Sequence, residues 1–372
     1  MMNLKQFYLY QTIGVLLFLF IFSSACWLDT EKKGKISGKI LGDYDGTLLL
    51  QKIENDSLKT IDRCKLTNNK FEFSEFRLES PRMYYIQLEG REVLISLFAE
   101  NSDIFVNFDA DKPQDVKISG SEIHKKYAMF LEDNNTFKIR LRDLAKQKIP
   151  AREYNDTLLM NELDSLRMQI ATEEQRFLYR YVYENNRSPV AAYIASESLL
   201  NYESYKNLRI LVDNFKGEAL KSYYYKKFKK QLKLKSRLLP GEKFPGIDKF
   251  GFNLKGNSEY VWIILPYFYS EPDTAYFSKW NRIQTKYSDL NILPVLPDSE
   301  KKNNRKSKLY PVMKICYLDD EVYENVRKIY NVKKRYTNYL IRKDSLILAV
   351  DISIEEFDNL FQEKFHKFEN DQ

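Results

Sequence analysis

The chain of 372 residues carries three cysteines and two histidines, and these few groups bound the chemistry open to it. A thiolate is the nucleophile of disulfide exchange and a ligand for soft metals, so what matters is where the cysteines stand. Cys26, Cys64 and Cys316 are widely separated, and no two of them have the two-residue gap that lets a second thiol resolve a mixed disulfide. A zinc cage takes four Cys or His ligands and a disulfide scaffold takes many cysteines. Five such residues spread along the length supply neither, so no metal and no cofactor is expected. Cys64 falls at the end of a predicted strand with no His, basic cluster or helix start beside it, and reads as a packed or half-exposed thiol. Cys316 lies in Lys314-Ile315-Cys316-Tyr317, an apolar strand pattern in which a cysteine is filling.

A different chemistry is suggested by Tyr223-Tyr224-Tyr225-Lys226-Lys227-Phe228-Lys229-Lys230, followed by Lys233, Lys235 and Arg237. Lysines interleaved with aromatics can contact phosphates and stack on bases. On a helix, however, these aromatics fall on several faces, so some pack inward while the lysines form a solvated face. No nucleic-acid partner is expected, and attraction to an anionic membrane surface is the looser alternative.

The elements that hold these groups follow from composition and periodicity. With 44% hydrophobic and 30% charged residues the chain can bury a large core, which excludes a disordered chain and a polytopic membrane protein. Its excess of 59 Lys and Arg over 52 Asp and Glu is mild for this size, and the length predicts two or three domains. From Lys35 to Gly120 the apolar pattern has period two, broken by turns such as Asp45-Gly46, Asn68-Asn69, Glu89-Gly90 and Lys112-Pro113. Eight short strands are predicted there, the pattern of an all-β sandwich or barrel. From Ser121 to Arg237 the period is 3.6, giving a middle α-helical segment with long helices over Ile123–Lys146 and Tyr154–Tyr183, interrupted at Pro150, and a shorter one that Pro189 opens. From Leu238 onward strands and helices alternate. Val261 to Tyr267 is an apolar run suited to a strand buried on both faces, Tyr339–Arg342 and Ser345–Asp351 form a hairpin, and Ser353 with Glu356 fits a capping box on a final helix.

The N-terminus stands outside this organisation. Ile13 to Phe22 is an apolar run of signal-peptide length, followed by Ser23-Ser24-Ala25-Cys26. Small residues before a single cysteine, directly after such a run, look like a bacterial lipobox, in which Cys26 is lipidated and becomes the new N-terminus. The expected organisation is a signal peptide over 1–25, a tether over 26–34, a β-sandwich over 35–120, a helical region over 121–237 and an α/β domain over 238–372.

That last domain resembles the thioredoxin-fold domain of TlpA-like and ResA-like membrane-tethered thiol-disulfide oxidoreductases. The likeness is carried by the lead-in Pro240-Gly241-Glu242-Lys243-Phe244-Pro245-Gly246, the strand Val261–Leu265, Tyr330-Asn331-Val332, and the hairpin Thr337–Asp344. The β-rich half is similar to the domain of unknown function 4369, found ahead of thioredoxin-like domains in lipoproteins of the Bacteroidota. Its likeness rests on Ile36-Ser37-Gly38-Lys39-Ile40, Asn69–Phe73, Glu100–Ile104 and Ile118-Ser119-Gly120-Ser121.

The resemblance implies an active site W-C-x-x-C at the start of the domain's first helix, where this chain reads Tyr269-Ser270-Glu271-Pro272-Asp273. Ser270 and Asp273 stand in place of the two redox cysteines, so the family's dithiol exchange has no nucleophile and no resolving thiol. A serine hydroxyl without a base is inert, and the nearest histidine in sequence is His366. Ser270 and Asp273 read instead as helix caps worth about 1 kcal/mol. Tyr336 aligns with the family's cis-proline and is expected to follow a trans peptide, and Ile264 replaces a buried carboxylate found in thioredoxins proper.

The function expected is a lipid-anchored envelope protein, facing the periplasm or cell surface, with a redox-inactive thioredoxin-like domain serving as a binding or structural module. Its partners are the membrane, through Cys26, and a protein or peptide at the groove beside Tyr269, Ser270 and Tyr336, unless Tyr336 itself fills that groove. Two alternatives stay open. One is a thiol-disulfide oxidoreductase or peroxiredoxin-like protein with residual activity through Cys316 or Cys64. The other is a surface ligand-binding lipoprotein in which Tyr84, Tyr85 and Phe105 line a face of the β domain.

Overall fold

The computed structural model describes residues 33–54, 57–245, 258–266, 274–303, 315–330, 332 and 336–364. It divides into two compact units between Asn135 and Thr136.

In the first unit eight strands form two four-stranded sheets: β1 (Lys35–Leu41), β2 (Thr47–Glu54), β3 (Ser57–Lys65), β4 (Lys70–Glu72), β5 (Arg82–Leu88), β6 (Leu94–Ala99), β7 (Asp103–Asp109) and β8 (Lys112–Ser119). Their orders are β4-β1-β7-β8 and β3-β2-β5-β6. Period-two alternation sends Ile36 and Ile40, Ile104, Val106 and Phe108, and Tyr84, Ile86 and Leu88 into one core shared by both sheets. The six strand pairs of these sheets are not all alike: β1 runs parallel to β7 and antiparallel to β4. That close approach explains one motif glycine, because a Cβ on Gly38 would sit 1.8 Å from the Val106 carbonyl oxygen. Gly120 ends β8 at φ +87°, a left-handed backbone open to glycine, with the Asp103 carbonyl 1.9 Å from where a Cβ would stand.

Two expectations shift here. Lys112-Pro113 opens β8 instead of forming a turn, which Pro tolerates because β8 is an edge strand bonded only to β7. The fold also begins before residue 35, since Gly34 pairs with Phe76 and Lys33 lies 2.9 Å from Glu75.

A helix α1 (Glu122–Glu153) follows, and its first turns belong to the first unit. Tyr127 packs edge-on against Phe98, and buried His124 accepts the Phe98 N–H at Nδ1, 3.2 Å away. Pro150 does not interrupt this helix. It falls in the last turn, where little helix remains beyond it to be broken, and the chain turns out at Asn155 with φ +53°.

The second unit continues with α2 (Thr157–Glu184), capped by Asp156, and α3 (Pro189–Ile194), capped by Ser188 and running into a π-helical turn at Ala195–Leu199. After α4 (Tyr205–Asn214) and the short α5 (Glu218–Lys221) comes α6 (Tyr223–Ser236). Tyr224, Phe228 and Leu232 are buried at i, i+4 and i+8 of α6, and Tyr224 meets Tyr193 edge-on at 4.9 Å. Lys227 pairs with Glu197 at 2.8 Å, and Lys235 donates to the carbonyls of Leu200 and Glu203. The aromatics between the lysines thus pack between helices, as their spread over several faces predicts.

The α/β part follows as β9 (Tyr260–Pro266), α7 (Thr274–Lys286), β10 (Leu290–Pro297), a 3-10 turn (Asp298–Asn303), β11 (Cys316–Leu318), α8 (Asp320–Ile329), β12 (Tyr336–Arg342), β13 (Ile347–Val350) and α9 (Ile354–Lys364). The sheet order is β11-β10-β9-β12-β13, with β9, β10 and β11 parallel and β12 antiparallel to both of its neighbours. The chain thus runs through a βαβ unit (β9, α7, β10) and, after β11 and α8, a ββα unit (β12, β13, α9), which together give one mixed sheet. One core lies on each face of the sheet: Val261, Ile263 and Leu265 point into one, Trp262 and Ile264 into the other. The capping box on α9 forms as read, with Ser353 Oγ accepting the Glu356 N–H and Glu356 Oε2 accepting the Ser353 N–H.

Candidate functional site

The region that positions any thioredoxin-like site is the end of β9, the start of α7 and the start of β12. The linking residues 267–273 lie outside the described residues, so the readings of Tyr269, Ser270, Pro272 and Asp273 do too, as does lipidation at Cys26. The peptide before Tyr336 involves residue 335 and is likewise outside them.

What surrounds the site is tied down from three separate stretches of sequence. Pro266, the last residue of β9, has its carbonyl held by the buried Tyr323 hydroxyl of α8 at 2.6 Å. Phe244 of the lead-in stacks on Tyr330 with ring centres 4.5 Å apart and planes 6° from parallel, and the Tyr330 hydroxyl donates to the Pro245 carbonyl. From the hairpin, Tyr339 donates its hydroxyl to the Tyr330 carbonyl at 2.9 Å and meets Phe244 edge-on. Burial pushes both the Tyr330 and Tyr339 phenols up, so they stay protonated as donors. The lead-in also runs beside β13 through Gly241 N–H to Ile347 O and Phe244 N–H to Ser345 O. The structure therefore brings together all four segments that carry the thioredoxin likeness, in the core that holds Phe244, Ile263, Tyr330 and Tyr339.

Tyr336 opens β12 opposite Pro266 in the ladder. Its ring is half-buried and stands edge-on to Trp280 of α7, 5.4 Å between centres and 87° between planes. Two residues on, Asn338 accepts the Trp262 Nε1–H at 3.0 Å and exchanges bonds with the backbone of Ile352, which fixes the hairpin to α9's approach. Two of these anchoring groups, Tyr323 and Trp280, lie outside every motif read in the sequence. Only their positions on apolar-patterned elements mark them as inward-facing.

Among the described residues Cys64 and Cys316 are not joined in a disulfide, and both are half-buried. Cys64 packs at the margin of the first unit's core, and burial pushes its thiol up to about 11. Cys316 begins β11, packed at the margin of the core that holds Val295 and Tyr323. β11 is separated from β9 by β10, two strand spacings or roughly 10 Å from the strand that leads into the site. Among the described residues no three His, Cys, Asp or Glu side chains are grouped to hold a metal ion, and no helix is long and apolar enough to cross a membrane. Of the three aromatics read as a binding face, Tyr84 is core and Tyr85 half-buried, while Phe105 is 48% exposed.

The sequence profile of the family described as Domain of unknown function (DUF4369) matches residues 35–127. Residues 35–127 are a DUF4369 domain. The match runs past β8 into α1 as far as Tyr127, which the contact of Tyr127 with Phe98 accounts for. No curated protein matches the chain. Among solved structures, a thioredoxin-like protein from Bacteroides caccae is similar at 15% identity and a TM-score of 0.38, over 55% of this chain and 84% of that one. A putative thiol:disulfide interchange protein DsbE from Chlorobium tepidum is similar at 20% identity and a TM-score of 0.26, over 34% and 94%. The C-terminal domain of a putative thiol-disulfide oxidoreductase from Bacteroides thetaiotaomicron is similar at 18% identity and 0.26, over 34% and 86%.

Proposed function

We propose that the chain is a lipid-anchored cell-envelope protein whose thioredoxin-like half does not exchange disulfides and serves as a binding or structural module. In this reading Cys26 carries the anchor, residues 26–34 tether it, the two N-terminal sheets form a sandwich, residues 121–237 are a helical spacer and residues 238–372 are the thioredoxin-like domain. One observation carries the redox part: Cys316, the one cysteine in this half, lies two strands away from β9, at the margin of a core. Ser270 and Asp273 then leave no thiol in the connection between β9 and α7. Tyr336, standing where the family has its peptide-facing proline, spends its ring on Trp280, which favours a structural role over peptide capture.

The test is reduction of insulin by dithiothreitol in the presence of the protein. We expect the rate to stay at the dithiothreitol background for the wild type, Cys64→Ser and Cys316→Ser alike. A wild-type rate above background that Cys316→Ser or Cys64→Ser abolishes would overturn the reading. Alkylation gives a second readout. With its thiol at about 11, Cys64 holds about a hundredfold less thiolate at neutral pH than an ordinary cysteine, so iodoacetamide should label it correspondingly slowly.

A further inference from the structure

The outer face of the β4-β1-β7-β8 sheet is organised in rows. Ser37 and Lys39 alternate with buried Ile36 and Ile40, and Phe105 and Asn107 alternate with buried Ile104, Val106 and Phe108. The register sets Glu72, Ser37, Phe105 and Ser119 side by side across four strands, and in the next row Lys70, Lys39, Asn107 and Lys117. With Lys65 and Thr67 most of these residues line an open concavity of about 700 Å³.

Lys39 and Lys70 stand directly opposite each other on neighbouring strands, an arrangement that destabilises a sheet unless something neutralises it. Lys33, Lys35, Lys52 and Lys59 of the same domain each have a carboxylate within 3.5 Å. Lys39, Lys65, Lys70 and Lys117 have none among the described residues, and the one acid that lines the concavity, Glu72, is already paired with Lys35. Asn107 gives its amide oxygen to the Lys39 N–H, which leaves its amide hydrogens to donate outward. The lysine row therefore offers donors and positive charge. The adjoining row, about 7 Å away, offers a half-exposed aromatic ring between two serines.

We infer that this face binds an acidic sugar, with the ring of the sugar on Phe105 and its acid group between Lys39 and Lys70. A bare anion has no use for the exposed ring, and a neutral sugar has none for three lysines in a row. This inference does not depend on the reading of the α/β half.

The experiment is calorimetric titration of the full chain, in detergent, with a tetramer of galacturonic acid and with an uncharged galactose tetramer. The acidic tetramer should bind at least tenfold more tightly than the neutral one and weaken as salt rises. The double variant Lys39→Gln, Lys70→Gln and the variant Phe105→Ala should each lose tenfold or more. Thermal melting separates binding from folding: the double variant should melt no lower than the wild type, because it removes a like-charge pair. Equal affinity for the two tetramers, no binding of the acidic one, or unchanged affinity in the double variant would overturn the inference. So would acidic-tetramer binding that phosphate displaces and Phe105→Ala leaves intact, which is a plain anion site.

Discussion

Among single residues, His124 makes a prediction about pH. Its ring is buried against Phe98 and accepts a backbone N–H, so burial holds its pKa below the ordinary 6.5. The unfolded chain takes up a proton below pH 6.5 that the folded ring refuses, so stability is full above 6.5 and falls as the pH drops toward the folded value. Between pH 7.5 and 5.5 the loss should be up to about 1 kcal/mol. Thermal melts should show it in the wild type and not in His124→Gln. Glu54 and Glu75 also have lowered pKa values from their lysine partners, but their loss begins only below about pH 4.5. The sequence made the Ser353–Glu356 box legible because both partners sit within one turn. It did not show Tyr330 as a hub, because Phe244, Tyr330 and Tyr339 come from segments that meet only in the folded chain.

For elements, the edges of strands and helices are set by caps and partners. Eight strands and the βαβ-then-ββα order follow from apolar periodicity alone, since each face of each sheet has a core to fill. The misplacements have local causes: a proline tolerated on an edge strand at Lys112-Pro113, and another absorbed in a last helical turn at Pro150. Removing an anchor between elements should cost more than removing a cap. Ser353→Ala leaves the Glu356 N–H without its side-chain acceptor and should cost about 1 kcal/mol. Tyr323→Phe leaves the Pro266 carbonyl without its buried donor and should cost about 1–3 kcal/mol. Urea unfolding followed by far-ultraviolet circular dichroism measures both.

For the whole molecule, the anchor proposed on Cys26 rests on the sequence pattern, and Cys26 lies outside the described residues. Replacing Cys26 with Ala should move the protein from the membrane to the soluble or uncleaved fraction, and should abolish labelling by radioactive lipid. Membrane recovery of Cys26→Ala equal to wild type, with labelling retained, would refute lipidation there. The candidate site was less legible than the fold, because its groups stand on a connection whose residue types, Ser270 and Asp273, suit an ordinary helix start as well as a lost active site.

The parallel pairing of β1 with β7 sets an order of events during folding. The two strands are 68 residues apart in the chain, with β4 on the other side of β1. Closing so long a loop costs entropy before any ladder bond repays it, so β1 waits for β7. A chain emerging N-terminus first cannot seal this core until Asp109 is available. Until then Ile36 and Ile40 stay open to chaperones, to proteases and to the strands of other molecules.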